Sequence, residues 1–158
     1  MRAIELQPLI EAFAELQVQY VIIGGVALLL YGAPITTRDV DISIAFDKEN
    51  LKHLAEALNR FEPRLRNGKQ VKLDELAFGG EFVTYFTNVG VIQVINRVKG
   101  FQSFQDLIAA SDVIIVRGTE VRVASIDALE IMKSNTGRDK DKPHLDIIRA
   151  LKANRNPD

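Results

Sequence analysis

Apolar and polar residues alternate strictly along residues 39–44, whose sequence is DVDISI. In an extended strand, side chains two positions apart share a face, so Asp39, Asp41 and Ser43 are predicted to lie on one face. The three aliphatic residues between them are predicted on the opposite face, against a hydrophobic core. We therefore expect a strand that carries two carboxylates on one face and packs its other face into the protein.

The residues before this strand predict a strand followed by a short helix. Residues 21–23 are a β-branched run, VII, which is typical of a buried strand. Gly24 and Gly25 interrupt that run as a predicted turn, and residues 26–31 have the length and composition of a compact helix. Pro34 cannot continue a helix, so the helix is expected to end just before it.

Helical periodicity and capping residues predict further helices along the chain. The predicted helices cover residues 4–16, 48–61, 103–110, 126–135 and 143–152. Asp47 and Ser125 are expected N-caps, and Gly137 is expected to end the helix that begins after Ser125.

Two β-hairpins are predicted in the second half of the chain. Strands 82–87 and 91–96 flank a turn at residues 88–90, and strands 113–116 and 120–124 flank Arg117-Gly118-Thr119. Residues 71–76 are compatible with a short strand or an irregular segment. This mixture of helices and hairpins predicts an α+β fold with a mixed sheet and flanking helices, not a doubly wound sheet with regular βα alternation.

Composition and charge narrow the possible classes of protein. The 158 residues are 47% hydrophobic and 26% charged, which is typical of one globular domain over residues 1–158, with a core of about 18–151. The net charge of −1 gives no overall attraction to nucleic acid or membrane. No cysteine is present, which excludes disulfides and thiolate metal sites and fits a cytoplasmic location.

No membrane or secretory segment is predicted. Residues 1–16 form an amphipathic pattern that contains three glutamates, which is not typical of a signal peptide. The apolar run at residues 18–31 is too short to span a bilayer, and it contains two adjacent glycines.

The carboxylate pair and the preceding glycines suggest phosphate chemistry. Two carboxylates on one strand face repel each other, and each raises the pKa of the other unless a cation lies between them. Mg²⁺ prefers one or two carboxylates together with substrate phosphates. Gly24 and Gly25 lead into a helix N-terminus, where free N–H groups favour an anion and the missing Cβ atoms allow close approach. This combination is the minimum apparatus for phosphoryl or nucleotidyl transfer.

Simpler interpretations remain open for each of these residues. Gly24 and Gly25 alone are compatible with an ordinary strand-to-helix turn, and the Gly-x-Gly-x-x-Gly pattern of a dinucleotide site is absent. Asp39 and Asp41 are compatible with solvated residues on the outer face of a strand. If they form a site, both carboxylates should reach a common cleft beside the two glycines.

The order strand, Gly-Gly, short helix and Thr-x-Asp-x-Asp strand resembles the nucleotidyltransferase superfamily. The matching residues are Gly24, Gly25, Thr37, Asp39 and Asp41.

More narrowly, the chain is similar to small stand-alone bacterial nucleotidyltransferase-like proteins related to abortive-infection and toxin–antitoxin components. In these proteins Gly-Gly-x-Ala opens the helix, and a Lys…Gly-Arg-x-Lys-Asp segment closes the domain. Residues 24–27, Lys133 and residues 137–141 match these patterns.

The resemblance implies a nucleotidyltransferase-like fold and a role for each matching residue. Asp39 and Asp41 would be catalytic and would hold Mg²⁺, with Mn²⁺ as the alternative, and Thr37 would orient Asp39. Gly24, Gly25, Thr37 and Lys133 would bind the nucleotide. The implied partners are a nucleoside triphosphate, an RNA or small-molecule acceptor, and a protein that is a toxin, an antitoxin or a modified target.

The basic segment that follows Lys133 allows two interpretations. Arg138 or Asp141 would be a structural clasp or a partner of Lys133 according to the resemblance. Lys133, Arg138 and Lys140 are equally compatible with solvated charges at a helix end. His53 and His144 lie too far apart in sequence to suggest a metal site, so both are expected to be structural.

Two departures from the family pattern bear on activity. Gln93 stands where active members carry a third carboxylate, and Ile35 stands in place of an arginine. An amide oxygen ligates a metal weakly and cannot act as a base. Glu81, Asp74 or Glu75 would compensate only if the fold brings one of them close.

These departures leave three functional hypotheses. The first is a nucleotidyltransferase that transfers a nucleoside monophosphate to a hydroxyl of a protein, RNA or small molecule. The second is a catalytically degenerate member that acts as an antitoxin or interaction module, and Gln93 favours it. The third is an α+β domain with incidental carboxylates.

Overall fold

The computed structural model describes residues 3–136 and 139–155, and this part of the chain contains a six-stranded mixed sheet. The strands are β1 Tyr20–Ile23, β2 Asp39–Ile44, β3 Phe82–Thr87, β4 Gly90–Ile95, β5 Ser111–Val116 and β6 Thr119–Ala124. The helices are α1 Leu6–Glu15, α2 Gly24–Leu30, α3 Lys48–Asn59, α4 Phe104–Ala109, α5 Ile126–Thr136 and α6 Lys142–Arg155. Short 3₁₀ helices cover Glu75–Phe78 and Asp139–Asp141.

The strand order in the sheet is β3-β4-β2-β1-β6-β5. At the centre, β2 pairs antiparallel with β1 and parallel with β4, and β1 pairs parallel with β6. Each outer strand is the antiparallel partner of its hairpin neighbour. This topology confirms the predicted α+β class with a mixed sheet. None of the described helices is long and apolar enough to cross a membrane.

Both predicted hairpins are confirmed. In the second, Val116 pairs with Thr119, so the turn contains only Arg117 and Gly118. Both have positive φ angles, 47° and 85°, as a two-residue turn between twisted strands requires. The segment predicted as a strand or irregular stretch at residues 71–76 is irregular and leads into the first 3₁₀ helix.

The helix caps follow the sequence signals. The Asp47 carboxylate accepts a hydrogen bond from the Asn50 N–H at 2.9 Å, and the Ser125 hydroxyl accepts one from Ala128 at 3.0 Å. These bonds satisfy backbone donors that an isolated helix end leaves free. The predicted helix end at Gly137 lies outside the described residues.

Side chains on both faces of the central sheet are buried. On one face, Val40 and Ile42 are fully buried, and the Phe13 ring of α1 meets the Tyr20 ring edge-on at 4.7 Å. On the other face, Val21 and Ser43 are buried as well. The carboxylates of β2 therefore lie on a largely covered face and not on an open, solvated one.

Candidate active site

The centre of the sheet places Asp41 between the end of one strand and the middle of another. Asp41 pairs with Ile23, the last residue of β1, and with Gln93 in β4. Gly24 follows Ile23 directly, so the two glycines begin α2 beside the carboxylate. They form the first residues of this helix, whereas the sequence predicted a turn before a helix that begins at residue 26.

Gly24 is in contact with the Asp41 carboxylate. Its φ angle is +72°, and a Cβ atom at this position would overlap Oδ2 of Asp41. Gly25 lies close to Thr37, because a Cβ atom there would be 3.3 Å from the Thr37 hydroxyl oxygen. Only glycine at position 24 allows both this backbone conformation and this approach.

Thr37 contacts Asp39 through its side-chain hydroxyl. The Thr37 hydroxyl donates to the Asp39 carbonyl oxygen at 2.9 Å, and its distance to Oδ1 of Asp39 is 3.4 Å. These contacts hold the loop before β2 against the first residue of that strand.

Asp41 is partly buried, and this burial opposes its ionisation. Its Oδ1 atom is buried and has no hydrogen-bond partner among the described residues. Burial, followed by the negative charge of Asp39, raises the pKa of Asp41 to about 6, and the positive charge of Lys133 acts in the opposite direction. The carboxylate pair is therefore a site where a cation would be stabilised.

A cleft of about 660 Å³ opens over this carboxylate. Its polar lining residues are Asp41, Glu81, Gln93, Arg97, Lys99 and Lys133. Asp39 is not one of the lining residues. The expectation that both carboxylates reach a common cleft therefore holds for Asp41, whereas Asp39 lies to the side with Thr37.

Lys133 reaches the cleft from α5 and forms an ion pair there. Its Nζ atom is 3.0 Å from Oδ1 of Asp141, and the two side chains are 20% and 5% exposed. Lys133 is therefore not a solvated charge at a helix end. Arg138 and the side chain of Lys140, the other basic candidates in this segment, lie outside the described residues.

His144 lies beside this ion pair. Its Nδ1 atom is buried without a hydrogen-bond partner among the described residues. Burial and the nearby Lys133 lower the pKa of its imidazole, so the neutral form is favoured.

Gln93 occupies the position beside Asp41 where the resemblance led us to expect a third carboxylate. Among the described residues, no group of three or more acidic, histidine or cysteine side chains is placed to hold a metal ion. Glu81 lines the cleft, but Asp74 caps the backbone of Leu76, and Glu75 lies 4.0 Å from Lys48. Asp74 and Glu75 therefore do not compensate for the missing carboxylate.

Phe82, Arg97 and Lys99 line the cleft, although the sequence did not single them out. Phe82 begins β3, and Arg97 and Lys99 follow β4. The sequence signal available for them was that Arg97 and Lys99 directly follow the predicted strand that carries Gln93. That signal becomes informative only once β4 is known to lie beside β2.

Comparison with known proteins identifies the fold. No family model matches the chain, and no curated protein matches it. Among solved structures, the lincosamide antibiotic adenylyltransferase LnuA, in its lincomycin-bound form, matches with a TM-score of 0.65 and 13% identity. The match covers 95% of this chain and 99% of LnuA.

Two other solved structures match in the same way. The antibiotic-resistance factor ANT(2'')-Ia matches with a TM-score of 0.61 at 13% identity, over 95% of this chain and 81% of that one. An antigenic nucleotidyltransferase-like protein from Paracoccidioides brasiliensis matches with a TM-score of 0.58 at 20% identity, over 90% and 71% of the two chains. The chain thus has a nucleotidyltransferase-like fold, as the resemblance led us to expect.

Proposed function

We propose that the protein binds a nucleoside triphosphate with a divalent cation and transfers a nucleoside monophosphate to a hydroxyl group. The observation that carries this proposal is the contact between Gly24 and the carboxylate of Asp41, whose Oδ1 atom is buried and has no hydrogen-bond partner in the described part of the chain. Inside a cleft, the backbone N–H groups of the glycines can bind an anion, and the carboxylate beside them can bind a cation. The fold of the adenylyltransferase LnuA supports the same class of reaction.

The residues present fit Mg²⁺, with Mn²⁺ as the alternative. Asp41 has a buried oxygen without a hydrogen-bond partner among the described residues and a raised pKa, both of which a bound cation would offset. Asp39 and Asp41 would hold the ion, and the Gln93 amide oxygen is available as a neutral third ligand. When bound, the ion would neutralise charge on the nucleotide phosphates.

The nucleotide phosphates have two sources of stabilisation in this chain. The N–H groups of Gly24 and Gly25 begin α2 and have no acceptor within the helix. Lys133 supplies a positive charge that lines the same cleft and is held in place by Asp141. A triphosphate bound to these groups would lie against the carboxylates of β2.

The transfer forms one bond and breaks another. The acceptor oxygen attacks the α-phosphorus, and the bond from this phosphorus to the bridging oxygen of the β-phosphate breaks. Pyrophosphate leaves with the electron pair, and the hydroxyl proton passes to a carboxylate of the Asp39–Asp41 pair.

A second candidate function is a non-catalytic one, as an antitoxin or interaction module. The observation that favours it is the register between β2 and β4, which places neutral Gln93 directly beside Asp41. Under this hypothesis the fold would still present a cleft, but transfer would be undetectable.

The test is ligand-induced stabilisation. Mg²⁺ with one of the four nucleoside triphosphates should stabilise the folded state by about 2.7 kcal/mol at a ligand concentration of about 100 times Kd. That corresponds to a rise in melting temperature of about 5–10 °C for a chain of this size. The doubly substituted variant Asp39→Asn/Asp41→Asn should lose this rise.

The control is Glu120→Gln, which removes a carboxylate from an exposed position on strand β6 of the same sheet. It should keep the full rise in melting temperature. The absence of a rise with all four triphosphates in the wild type would contradict the proposal and favour the interaction module.

A further inference from the structure

An exposed basic segment lies against the edge of the sheet next to the cleft. We call residues 62–72, with the sequence EPRLRNGKQVK, the basic loop. Its charged residues are Arg64, Arg66, Lys69, Lys72 and Glu62. The local excess of positive charge contrasts with the net charge of −1 of the whole chain, so cations are concentrated here.

The basic loop is attached to β3 by backbone hydrogen bonds. The N–H group of Arg64 donates to the Phe86 carbonyl oxygen at 2.8 Å, and the Phe86 N–H donates to the Arg64 carbonyl oxygen at 2.8 Å. The cations of the loop are therefore held beside the strand.

Aromatic side chains lie next to these cations on the face of β3 that also carries the site. Phe82 is 58% exposed, which is unusual for so large an apolar side chain. Phe86 lies four residues further along the same face, and the Arg66 guanidinium is 5.7 Å from the centre of its ring. The span from Phe82 to Phe86 is about 13 Å of strand.

The basic loop and the cleft form one continuous surface. A shallow groove of about 700 Å³ separates Arg66 and Asn67 of the loop from Phe82 and Thr84 of β3. Phe82 also lines the cleft that contains Asp41.

Beyond Phe82 the cleft contains two more exposed cations, Arg97 and Lys99. Among the described residues, no carboxylate forms an ion pair with Arg66, Lys69, Arg97 or Lys99. Cations and an exposed aromatic ring thus follow a path from the loop to Asp41, with the exposed carboxylate of Glu81 also in the cleft lining.

We propose that this surface binds single-stranded RNA and leads the end of the strand to Asp41. Arg66, Lys69, Arg97 and Lys99 would contact phosphates, and a base would stack on Phe82. A positive groove with an exposed aromatic ring is the combination that binds unpaired nucleotides, because stacking on a side chain requires a base that is free of its partner strand. RNA is favoured over DNA because its terminal ribose offers two adjacent hydroxyls.

The role of the RNA as acceptor rests on the proposed transfer activity, whereas its binding can be measured without nucleotide. The probe is a fluorescein-labelled single-stranded RNA of about 12 nucleotides, and the readout is anisotropy between about 50 and about 200 mM salt. Four phosphate contacts should give a slope of about −2.8 in log K against log salt, which is an affinity loss of about 50-fold over this range.

Two variants separate the electrostatic part of binding from the stacking part. Arg66→Ala/Lys69→Ala should weaken binding at least about tenfold in low salt and reduce the magnitude of the slope by about 1.4. Phe82→Ala should weaken binding at least about fivefold and leave the slope unchanged. Both changes are on exposed side chains, and melting temperatures would verify that the variants fold.

The matched control removes two positive charges elsewhere. Arg149→Ala/Arg117→Asn changes an exposed arginine of α6 and the turn at the opposite edge of the sheet, where asparagine tolerates the positive φ angle. Its affinity for the RNA should stay within about twofold of the wild type, since neither residue contacts the proposed path.

Several results would overturn the inference. They are no binding in low salt, an equal loss in the control variant, or equal affinity for duplex RNA, for single-stranded DNA or for a polyglutamate peptide. The last result would identify the surface as a site for acidic proteins. Intact RNA binding without any stabilisation by Mg²⁺ and nucleotide would contradict the proposed function alone. Nucleotide binding without RNA binding would contradict this inference alone.

Discussion

At the scale of single residues, Asp41 combines burial, proximity to Asp39 and an oxygen without a hydrogen-bond partner among the described residues. Its pKa is about 6 in the folded protein, against a value of 3.8 for an ordinary aspartate. Below pH 4 the group is protonated in the folded and unfolded states and has no effect on stability. As the pH rises from 4 to 6, the Asp41 carboxyl ionises more readily in the unfolded state than in the folded state. The free energy of unfolding therefore falls over this range and stays lower above pH 6.

We therefore expect Asp41→Asn to stabilise the protein near neutral pH in the absence of divalent cations. A shift of two pKa units corresponds to about 3 kcal/mol, and we expect a gain of about 1–3 kcal/mol because the asparagine amide keeps some unsatisfied polarity. At about pH 4 the difference should be small. Urea unfolding with a chelator at both pH values measures this. If the variant is instead equally destabilised at both pH values, contacts of the Asp41 side chain stabilise the fold and its charge does not destabilise it.

Gln93 is the second residue whose exchange is informative. Because it pairs directly with Asp41 across β2 and β4, Gln93→Asp would place a third carboxylate beside the existing pair. We expect the variant to lose about 1–2 kcal/mol of stability without metal, since like charges in a partly buried site repel. Mg²⁺ should bind it more tightly than the wild type, and transfer should become faster if the wild type transfers slowly.

Calorimetric titration of Mg²⁺ into both proteins checks the first expectation, and a labelled-triphosphate transfer assay checks the second. Glu120→Asp on β6 is the control for a conservative change on a strand. If Gln93→Asp binds Mg²⁺ no better than the wild type, the metal is not held at this strand pair.

At the scale of elements, Asn50 connects α3 to the two central strands. Its side chain is almost completely buried, and its amide donates to the carbonyl oxygens of Gln19 at 2.9 Å and Ala45 at 2.7 Å. Its side-chain oxygen accepts from the Gln19 N–H at 2.6 Å. Asn50 thus satisfies backbone groups that adjoin the start of β1 and the end of β2.

We expect Asn50→Ala to destabilise the protein by about 2–4 kcal/mol, because it leaves several backbone groups without partners in a buried position. Lys52→Ala, an exposed position two residues later in the same helix, should change the free energy of unfolding by less than about 0.5 kcal/mol. Denaturant unfolding of both variants provides the comparison. A loss for Asn50→Ala no larger than that for Lys52→Ala would show that these hydrogen bonds do not stabilise the fold.

At the scale of the whole molecule, the strand order brings distant segments into one cleft. β1, β2 and β4 lie side by side although they begin at residues 20, 39 and 90, and α5 adds Lys133 from residue 133. The same order leaves β3 at one edge, where the basic loop covers part of it. Charge that is nearly balanced over the whole chain is therefore unevenly distributed around the site.

Local patterns in the sequence were sufficient for most of the secondary structure. The alternation at residues 39–44, the two hairpin turns and the caps at Asp47 and Ser125 act over a few residues, so their physical causes are contained in the segment itself. The Gly-Gly and Asp-x-Asp motifs could be identified from the sequence because each is contained within a short segment.

Tertiary structure alone decided which of these residues meet. The register that places Gln93 beside Asp41, the ion pair between Lys133 and Asp141, and the exposure of Phe82 all depend on strand order and helix packing. Contacts between residues that are far apart in sequence result from the burial of apolar surface by the whole chain, which no short segment specifies. The same packing places Asp41 in the lining of the cleft and Asp39 outside it. The sequence alone does not distinguish these two aspartates, since they occupy equivalent positions in the alternating pattern.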